Sequence, residues 1–579
     1  MEQAIRRRLG LVVAAVFLVA IGIGARLYFL QVVKCEELRA RATQQQQREV
    51  EVPATRGAIL DRQGRDLALS LKTESLFAHP RRVTDPEQAA RLLAPIISSS
   101  AREIRKLLQS NKTFVYLDRF LEPDQVEAVR NLELPIGENK PFGFLPSAKR
   151  YYPRDRLAVH VVGFANIDGV GVEGIERHFN YELQGDSTVY LVLQDGLNGR
   201  VRQKTLTAPK KKPRDVILAI DLVLQHIVEQ ELDRAMRESG AQAASAVLMD
   251  PATGQVLALA NRPAADASRY GQASEQARIN RAVVHQYEPG STLKVVTMAA
   301  ALEHGKVRPN QRFDCERGSY TFRKRRIRDT PPRDILSAAE VLEKSSNIGM
   351  VKIVSRLEQR TLRETIADFG FGTRTGIELP GELSGNLRPV ADWSLQTQPS
   401  LAFGYEIGVT VLQMASALAV IANDGIRVPP RVVLGLRDAE GRVRRFDPPP
   451  ATRVICSRTA RELTSMMEGV VLRGTGTRAQ LPGYRLAGKS GTSRKVIDRR
   501  YSDTEYVASF GGFGPVSSPR LVALVVIDTP KGDHAGGRVA APVFRRIMEN
   551  ALSYVRAPRD EGAVILAGGR ARAGRSAVR

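Results

Sequence analysis

The sequence predicts an α+β protein with a single-pass membrane anchor, an elongated N-terminal module of mixed strands and helices, and a C-terminal domain with an antiparallel sheet flanked by helices. Three observations lead to this prediction. A long apolar run lies near the N-terminus, and short strand-like and helix-like segments alternate over residues 48–213. Strand-like segments stand at both ends of residues 216–557, with helical segments between them, which indicates one sheet assembled from the two ends of a domain.

The N-terminal segment has the length and charge pattern of a retained membrane anchor. Three arginines at positions 6–8 precede an uncharged run over residues 9–25, and apolar residues continue to position 33. Crossing a bilayer takes roughly 20 residues, whereas a signal peptide has a shorter apolar run and a small-residue cleavage site. Because positive charge favours the cytoplasmic side, we expect residues 1–8 to be cytoplasmic, residues 9–33 to span the membrane, and the bulk to lie outside the cytoplasm.

The composition excludes several classes of protein. The 579 residues carry a net charge of +24, but the basic stretches "PKKKPR" (209–214) and "RKRRIR" (323–328) lack interleaved aromatic residues, so we expect solvated basic faces and no nucleic-acid partner. The cysteines, Cys35, Cys315 and Cys456, show no metal-ligand spacing, which excludes a cysteine zinc site and a disulfide-rich scaffold. A single bridge between Cys315 and Cys456 stays open.

The N-terminal module shows no residues arranged for chemistry. The segment Pro53–Ser70 places the turn "DRQGR" between two apolar runs, which predicts a hairpin. The glycine-rich stretch Tyr152–Glu176 contains neither a nucleophile motif nor a metal cluster. We therefore expect residues 48–213 to form a non-catalytic module. At the other end of the chain, residues 558–579 are rich in Gly, Ala and Arg, and we expect a disordered tail.

The C-terminal domain is predicted from alternating apolar patterns. Asp221 can cap a helix whose apolar stripe begins at Leu222, and "DPATG" is the turn of a hairpin over Ala243–Ala260. The remaining predicted elements are a helix from Ser291, strands at Arg485–Gly488, Tyr506–Gly512 and Leu521–Ile527, and a helix from about Ala540 to Val555.

The stretch "GYRLAGKSGT" (Gly483–Thr492) fits two kinds of chemistry. It matches the phosphate-binding pattern G-x-x-x-x-G-K-[ST] and also the K-[ST]-G element of enzymes that acylate a serine. A phosphate-binding loop must follow a buried strand and open a helix, yet turn-forming residues precede Gly483 and a polar stretch without helical periodicity follows Thr492. ATP is also scarce outside the cytoplasm. We therefore expect no ATP binding.

The acyl-enzyme interpretation gains from "EPGSTLK", which contains the S-x-x-K pair Ser291 and Lys294, found nowhere else in the chain. On a helix, this spacing places the Lys294 ammonium one turn along from the Ser291 hydroxyl, on the same face. A hydroxyl needs an adjacent base to act as a nucleophile, and a lysine can serve when burial favours its neutral form. Taken alone, the pair also fits a capping serine and a surface lysine.

A third element, "KSSNIG", offers Ser345 and Asn347 in the pattern S-x-N. The same pattern occurs at Ser384 and Asn386, within the Gly- and Pro-rich stretch "LPGELSGNLRP". Ser345 lies between two helical runs, where a tight turn can aim side chains inward, so we select Ser345 and Asn347.

The order S-x-x-K, S-x-N and K-[ST]-G resembles that of the penicillin-recognising serine enzymes. The segments "RGAILDRQGRDLA", "GVGVEGIE", "GKSGT" and "GGRVAAPVF" extend the resemblance to class B penicillin-binding proteins, most closely the septal peptidoglycan D,D-transpeptidases. The resemblance implies a serine β-lactamase-like transpeptidase domain over residues 216–557 and a pedestal over residues 48–213 for dimerisation or partner contacts. It also implies a bacterial inner-membrane protein with a periplasmic bulk.

The resemblance assigns roles to the selected residues. Ser291 would attack the carbonyl between the terminal D-alanines of a stem peptide while Lys294 takes its proton. Ser345 would relay a proton to the leaving amine, Asn347 would hold the substrate peptide, and Lys489 would supply positive charge near the substrate carboxylate. The substrate-binding and oxyanion positions would be completed by Ser490, Gly491 and Thr492, with the backbone amides of Ser291 and Thr492 forming the oxyanion hole.

The implied partners are peptidoglycan stem peptides (a D-Ala-D-Ala donor and an amine acceptor), β-lactams, a membrane-embedded glycosyltransferase and other division proteins. We expect no metal and no cofactor. Four alternatives stay open: an elongation-specific transpeptidase of the same family, a serine β-lactamase, a membrane-anchored β-lactam sensor and a scaffold of the division complex. A β-lactamase would lack the N-terminal module, and a sensor would need signalling apparatus on the cytoplasmic side, where we expect only residues 1–8.

Overall fold

The computed structural model describes residues 2–38, 47–52, 55–137, 140–186, 188–194, 201–207, 211–323, 325–498 and 500–560. Most of the predicted tail, residues 561–579, lies outside the described residues. The chain forms two compact units. The first comprises Met1–Thr55, Leu71–Lys149 and Gly185–Lys212, and the second comprises Arg56–Ser70, Arg150–Gln184 and Pro213–Arg579.

The described helices are, in chain order, α1 (Glu2–Tyr28), α2 (Pro86–Leu93), α3 (Ala101–Leu108), α4 (Pro123–Arg130), α5 (Val159–Val162), α6 (Gly174–His178), α7 (Asn180–Leu183), α8 (Leu222–Ser239), α9 (Glu275–Arg278), α10 (Arg281–Val284), α11 (Lys294–Glu303), α12 (Ala338–Glu343), α13 (Asn347–Val354), α14 (Gln359–Asp368), α15 (Thr397–Leu401), α16 (Val411–Ala422), α17 (Ser457–Arg473) and α18 (Gly536–Tyr554).

The described strands are, in chain order, β1 (Gln47–Val52), β2 (Ile59–Leu60), β3 (Asp66–Ala78), β4 (Val115–Leu121), β5 (Phe142–Tyr151), β6 (Thr188–Gln194), β7 (Val201–Thr207), β8 (Asp215–Leu218), β9 (Ala243–Met249), β10 (Val256–Arg262), β11 (Arg312–Asp314), β12 (Ser319–Phe322), β13 (Arg325–Arg328), β14 (Ile335–Ser337), β15 (Ile426–Arg427), β16 (Val433–Arg437), β17 (Val443–Arg445), β18 (Thr452–Arg453), β19 (Ala487–Ile497), β20 (Arg500–Gly514) and β21 (Leu521–Asp528).

Helix α1 continues as a π-helical turn over Phe29–Val33. The stretch Arg7–Val33 is long and apolar enough to cross a membrane, and none of it is buried inside the protein. It is the one such stretch in the part of the chain that the structure describes. The predicted apolar span over residues 9–33 is therefore a continuous helical segment, which suits an anchor because every backbone group is satisfied within the segment.

The first unit contains an antiparallel sheet in the order β1-β6-β7 and a second group in which the later part of β3 pairs with β4 and β5. Helices α2, α3 and α4 bury apolar side chains against this second group. The core side chains include Leu76, Leu93, Ile104, Leu117 and Val129. Asp85 caps α2 by accepting hydrogen bonds from two backbone amides of its first turn.

The second unit includes the "DRQGR" hairpin and the glycine-rich stretch of the N-terminal half of the sequence. Strands β2 and β3 pair as predicted, and the Asp61 carboxylate accepts from the backbone amide of Arg65 at 2.9 Å across the turn. In the glycine-rich stretch, the fully buried Glu176 forms ion pairs with Arg56 and Arg150. Such a buried carboxylate is stable only because both cations accompany it.

The main sheet of the second unit is antiparallel, in the order β10-β9-β21-β20-β19. Helices α8 and α18 pack on one face through residues such as Leu232 and Phe544. Helix α16 packs on the other face, where Leu418 belongs to the core shared with α11, α12 and α17. The sheet is therefore built from the two ends of the domain, as the sequence predicts.

Predicted boundaries of four elements differ from the structure. Strand β20 (Arg500–Gly514) is longer at both ends than the predicted Tyr506–Gly512, because it pairs with both β19 and β21. Strand β19 begins at Ala487 and continues to Ile497, well beyond the predicted end at Gly488. Its later residues are polar and give no strand signal, but they pair with β20 at the edge of the sheet, where one side of the strand has no partner among the described strands. Helix α18 begins at Gly536, before the predicted Ala540, because its first turn packs closely against β19. The α-helix predicted from Ser291 begins at Lys294, after a 3-10 turn over Gly290–Leu293.

Candidate active site

The segment that carries Ser291 lies against the edge strand β19. Gly290 has φ of +56°, and a Cβ there would lie 2.9 Å from the carbonyl oxygen of Thr492. Glycine is favoured here because it adopts the left-handed conformation without strain and lets the backbone approach Thr492 closely. Two further contacts hold the segment: the Gly290 amide donates to Gly404 O at 3.0 Å, and Ser493 Oγ donates to Glu288 O at 2.7 Å. Ser291 is half-buried at the start of the 3-10 turn.

Lys294 is completely buried and directs its ammonium at the S-x-N turn. Its Nζ donates to Ser345 O at 2.7 Å, to Asn347 Oδ1 at 2.8 Å and to Ser345 Oγ at 3.3 Å. No hydrogen bond between Lys294 Nζ and Ser291 Oγ is formed within the described residues. A buried ammonium needs all three of its donors satisfied, and the S-x-N turn supplies these acceptors.

The S-x-N turn connects α12 to α13. Ser345 adopts φ of +59°, a left-handed conformation that is uncommon for a residue with a side chain. Ser346 caps α13 by accepting from the Gly349 amide at 2.9 Å, and Asn347 is the first residue of that helix. The rejected alternative, Ser384, is exposed. The structure thus places Ser345 and Asn347 beside Lys294 and leaves Ser384 on the surface.

Strand β19 supplies Lys489, also completely buried. Its Nζ donates to Ser345 Oγ at 3.0 Å and to Ser490 O at 3.0 Å. The ammoniums of Lys294 and Lys489 therefore meet at one hydroxyl, that of Ser345. Because Lys489 lies within a strand, paired with Gly511, the stretch "GKSGT" does not have the strand–loop–helix context of a phosphate-binding loop.

The rest of the K-S-G-T segment is held by close packing. A Cβ on Gly491 would lie 2.4 Å from Ser509 Oγ and 2.9 Å from Pro289 O. The Ser490 and Thr475 hydroxyls are 2.7 Å apart, and Thr492 Oγ1 accepts from the Gly536 amide at 3.0 Å. Helix α18 thus begins against the strand that carries Lys489, which explains its early start.

Burial lowers the pKa of Lys294 from its ordinary value to about 7, while the negative charge of Asp329 opposes this change. The pKa of Lys489 also lies well below its ordinary value, first because of burial and second because Lys294 carries like charge nearby. Burial thus favours the neutral form of Lys294, which is the condition that a lysine base requires.

Asp329 is a site residue that the sequence reasoning missed. This buried carboxylate follows β13 and accepts from the hydroxyl of Ser346, from the Asn347 amide at 2.6 Å and from the Ile348 amide at 3.2 Å. It thereby fixes the first turn of α13, where its charge also complements the helix dipole. No spacing rule links an aspartate to a motif sixteen residues later.

A second missed group connects the S-x-N turn to β19. The buried Glu343 at the end of α12 pairs with Arg473 at the end of α17, and its carbonyl oxygen accepts from the Thr475 amide at 3.2 Å. The Thr475 hydroxyl in turn contacts that of Ser490. In the sequence, the stretch "RGTGT" (473–477) predicts a turn and gives no indication of these contacts.

All three cysteines are free thiols, so the bridge between Cys315 and Cys456 that the spacing left open is absent. Cys315 is buried and Cys456 is exposed.

Family models match most of the chain. Residues 244–549 match the penicillin binding protein transpeptidase domain, and residues 51–218 match the penicillin-binding protein dimerisation domain. The chain belongs to the penicillin-binding proteins. It is a class B member close to FtsI, and the transpeptidase domain makes it a penicillin-binding transpeptidase enzyme.

Relatives of this penicillin-binding protein match it over nearly its whole length. The probable peptidoglycan D,D-transpeptidase PenA of Neisseria meningitidis is 35% identical over 95% of this chain and 93% of its own length. The peptidoglycan D,D-transpeptidase FtsI of Escherichia coli is 33% identical over 91% of this chain and 88% of its own. The stage V sporulation protein D of Bacillus subtilis is 32% identical over 95% and 86% respectively.

Solved structures show the same fold. The crystal structure of penicillin binding protein 3 from Mycobacterium tuberculosis, complexed with aztreonam, is similar with a TM-score of 0.70 and 28% identity, over 89% of this chain and 99% of that one. A peptidoglycan synthetase from Bifidobacterium adolescentis gives a TM-score of 0.72 and 28% identity, over 89% and 98%. The class B penicillin-binding protein fold that the sequence predicts is thus confirmed, and the N-terminal helix together with the FtsI-like relatives indicates a membrane anchor.

Proposed function

We propose that this protein crosslinks the stem peptides of septal peptidoglycan through an acyl-enzyme on Ser291, and that β-lactams acylate the same residue. The observation that carries the proposal is the meeting of Lys294 and Lys489 at the Ser345 hydroxyl. Residues from three separate motifs thereby meet at one hydroxyl, and Ser291 belongs to the same S-x-x-K motif as Lys294. The relatives named peptidoglycan D,D-transpeptidases support the reaction, and FtsI among them supports the septal role.

Acylation begins when Ser291 Oγ attacks the carbonyl between the two terminal D-alanines. Lys294, whose burial favours its neutral form, takes the hydroxyl proton. The backbone amides of Ser291 and Thr492 stabilise the oxyanion, since the outer side of the edge strand β19 has no partner strand among the described ones. The C–N bond then breaks, and Ser345 relays a proton from Lys294 to the departing D-alanine amine.

The substrate is held by the strand and by the S-x-N turn. Lys489 and the hydroxyls of Ser490 and Thr492 bind the terminal carboxylate, and Gly491 lets β19 approach Ser509 and Pro289 closely, which positions these side chains. Asn347 holds the peptide from the opposite side, since its amide oxygen is fixed by Lys294 at 2.8 Å. An amine of a neighbouring stem then attacks the ester carbonyl, forms the crosslink and frees Ser291.

The N-terminal helix and the FtsI-like relatives support a proposal for the location and the partners. Residues 1–8 lie in the cytoplasm, residues 9–33 cross the bacterial inner membrane, and the bulk is periplasmic. Residues 48–213 form a non-catalytic module for dimerisation or partner contacts, residues 216–557 form the transpeptidase domain, and residues 558–579 are a tail. A membrane-embedded glycosyltransferase and other division proteins are the proposed partners, because the catalytic group found among the described residues accounts for the peptide crosslink and a second enzyme must make the glycan strand.

Intact mass spectrometry of the full chain in detergent, after exposure to benzylpenicillin, tests the proposal. We expect a persistent adduct of one drug molecule, which Ser291→Ala abolishes while the protein stays folded. A folded wild type without an adduct would refute the acyl-enzyme, and rapid drug turnover would indicate a β-lactamase instead.

A crosslinking assay with stem peptides separates the enzyme from a β-lactam sensor or a scaffold, because only the enzyme joins two stems. Depletion of the protein in cells separates the two transpeptidase roles. Filaments without septa are expected for the septal enzyme, whereas round cells would indicate the elongation-specific enzyme.

A further inference from the structure

A strongly basic hairpin, formed by β12 and β13, lies beside the candidate active site. The hairpin spans Ser319–Arg328 and is called here the basic hairpin. It contains most of the stretch "RKRRIR", and the arginines at 323, 325, 326 and 328 are all exposed. The acylation geometry described above uses none of these side chains.

The strand register decides where each arginine points. Ile327 pairs with Tyr320 and is only 4% exposed, so this face of the hairpin packs against the protein. Alternate residues of a strand point to opposite faces, so Arg326 and Arg328 project together from the outer face. Arg326 Nε donates to Ser319 Oγ at 2.8 Å across the hairpin, which holds its side chain over that face.

These four arginines lack anionic partners. Within the described residues, no carboxylate oxygen lies within 4.0 Å of any of their guanidinium groups. Nearby cations do find partners: Lys352 pairs with Glu316 at 2.6 Å, and Arg317 lies 3.9 Å from Asp334. Several unpaired guanidiniums on one short hairpin repel one another, and an anion from outside the chain would relieve that repulsion.

One side of the basic hairpin contacts the S-x-N turn. The Asn347 side chain donates from Nδ2 to the Arg328 carbonyl oxygen at 3.1 Å, while its Oδ1 accepts from Lys294. The next residue, Asp329, binds the start of α13. The end of the hairpin is therefore one hydrogen bond away from a residue of the proposed catalytic group.

The other side of the basic hairpin begins a row of aromatic rings that leads toward Ser291. Arg325 donates to Ser400 Oγ at 2.8 Å and lies 5.8 Å from the centre of the Phe403 ring. The row continues through Tyr405 to Tyr501, with ring centres 5.7 Å and 5.3 Å apart.

The row ends at the segment that precedes Ser291, because the Tyr501 hydroxyl donates to Glu288 Oε1 at 3.2 Å. The basic hairpin, the aromatic row and Glu288 thus form a continuous rim beside Ser291.

We propose that the outer face of the basic hairpin binds carboxylates of the acceptor stem peptide and so presents the acceptor amine to the Ser291 acyl-enzyme. The planar guanidinium fork matches a carboxylate, and Arg326 and Arg328 offer two such groups side by side. This inference rests on the proposed transpeptidase function. In the step concerned, the amine nitrogen bonds to the ester carbonyl carbon, the C–O bond to Ser291 breaks, and the amine proton passes through Lys294 to Ser291 Oγ.

The test compares Arg326→Gln/Arg328→Gln with Arg458→Gln/Arg461→Gln on α17. The control arginines are 80% and 73% exposed, and their loss lowers the net charge by the same amount. The full chain in detergent is acylated by a thioester donor stem. The measurement is the ratio of crosslinked to hydrolysed donor against the concentration of an acceptor stem tetrapeptide, either with free carboxylates or fully amidated. This ratio is independent of how quickly the acyl-enzyme forms.

For the free-carboxylate acceptor, we expect the concentration that gives half-maximal crosslinking to rise about fivefold in the hairpin variant, as the loss of two exposed guanidinium–carboxylate pairs implies. The control variant should match wild type, and the amidated acceptor should not distinguish the three proteins. Added salt should raise the half-maximal acceptor concentration of the wild type toward that of the hairpin variant.

Equal ratios for the hairpin and control variants would overturn the inference. If the hairpin variant needed as much more of the amidated acceptor as of the free-carboxylate acceptor, the inference would also be overturned, because the hairpin would then not recognise carboxylates. A wild type that forms no acyl-enzyme with either the donor or benzylpenicillin would overturn the proposed function and this inference together. A wild type that is acylated by both keeps the proposed function, whatever the hairpin variant does.

Discussion

Asp329 offers the sharpest test of how the S-x-N turn and Lys294 depend on each other. Replacement by Asn keeps an oxygen that can accept from the amides of Asn347 and Ile348 but removes the charge. Replacement by Ala removes both the acceptors and the charge. The two variants therefore separate the positioning effect of Asp329 from its electrostatic effect on Lys294.

The expected loss of stability follows from the hydrogen bonds. Asp329→Ala leaves two backbone amides and the Ser346 hydroxyl without their acceptor in a buried turn. A buried donor without a partner costs about 1–3 kcal/mol, and the three share one site, so we expect the free energy of unfolding to fall by about 3–5 kcal/mol. Asp329→Asn should cost about 1–3 kcal/mol, because the bonds to the two amides lose their charge-assisted part and the new amide nitrogen cannot accept from the Ser346 hydroxyl.

The expected pH dependence follows from the sign of the charge effect. Lys294 must be neutral to take a proton, so acylation rises with pH through its pKa of about 7. Burial lowers the pKa of Lys294, whereas the negative charge of Asp329 raises it. Asp329→Asn should therefore lower the pKa of Lys294 and move the acid limb of the rate profile to lower pH, by about one pH unit.

The assay is the second-order rate of acylation by a fluorescent penicillin between pH 5 and 9, with thermal unfolding measured in parallel. Asp334→Asn is the matched control, because it removes one charge from an exposed aspartate five residues along. If the acid limb of the rate profile of Asp329→Asn stays at the wild-type pH or moves to higher pH, the electrostatic role of Asp329 is refuted. The same displacement in the control would show a general charge effect.

Two further predictions concern the packing that brings the motifs together. In Gly536→Ala, the new Cβ would lie 2.1 Å from Gly491 O, so we expect a loss of about 1–3 kcal/mol in unfolding free energy and slower acylation; Gly271→Ala, which meets no atom within 4 Å, should match wild type in both measurements. Arg473→Met leaves the buried Glu343 carboxylate without its cation and should cost about 1–3 kcal/mol by chemical denaturation. An unchanged denaturation midpoint would show that Glu343 does not need Arg473.

Elements with strong local patterns were predicted well. The capped helix α8 begins after Asp221 as expected, and the hairpin of β9 and β10 occupies the predicted stretch. Boundaries failed where packing outweighed local preference. Strand β19 continues past Gly488 because pairing with β20 stabilises residues whose polar character gives no strand signal.

For the candidate site, the motifs identified residues that the structure brings together, while their catalytic roles stay predictions. Ser345 and Asn347 could be chosen over Ser384 because two helical runs flank the first pair. Asp329 and Thr475 could not be found, because each acts through a contact with a distant part of the chain. From the sequence alone, an aspartate after "RKRRIR" is typical of a solvated turn. Its role depends on the contact with the first turn of α13, which only the folded chain forms.

By itself, the sequence determined the long apolar N-terminal helix, the class of the fold and the short motifs, because each depends on residues a few positions apart in a helix or strand. Only the tertiary structure decided that Lys294 and Lys489 share the Ser345 hydroxyl, and that Asp329 fixes the S-x-N turn that carries Ser345. Burial lowers the pKa values of both lysines, and the nearby charge of Lys294 lowers that of Lys489 further; neither condition exists until the chain has folded.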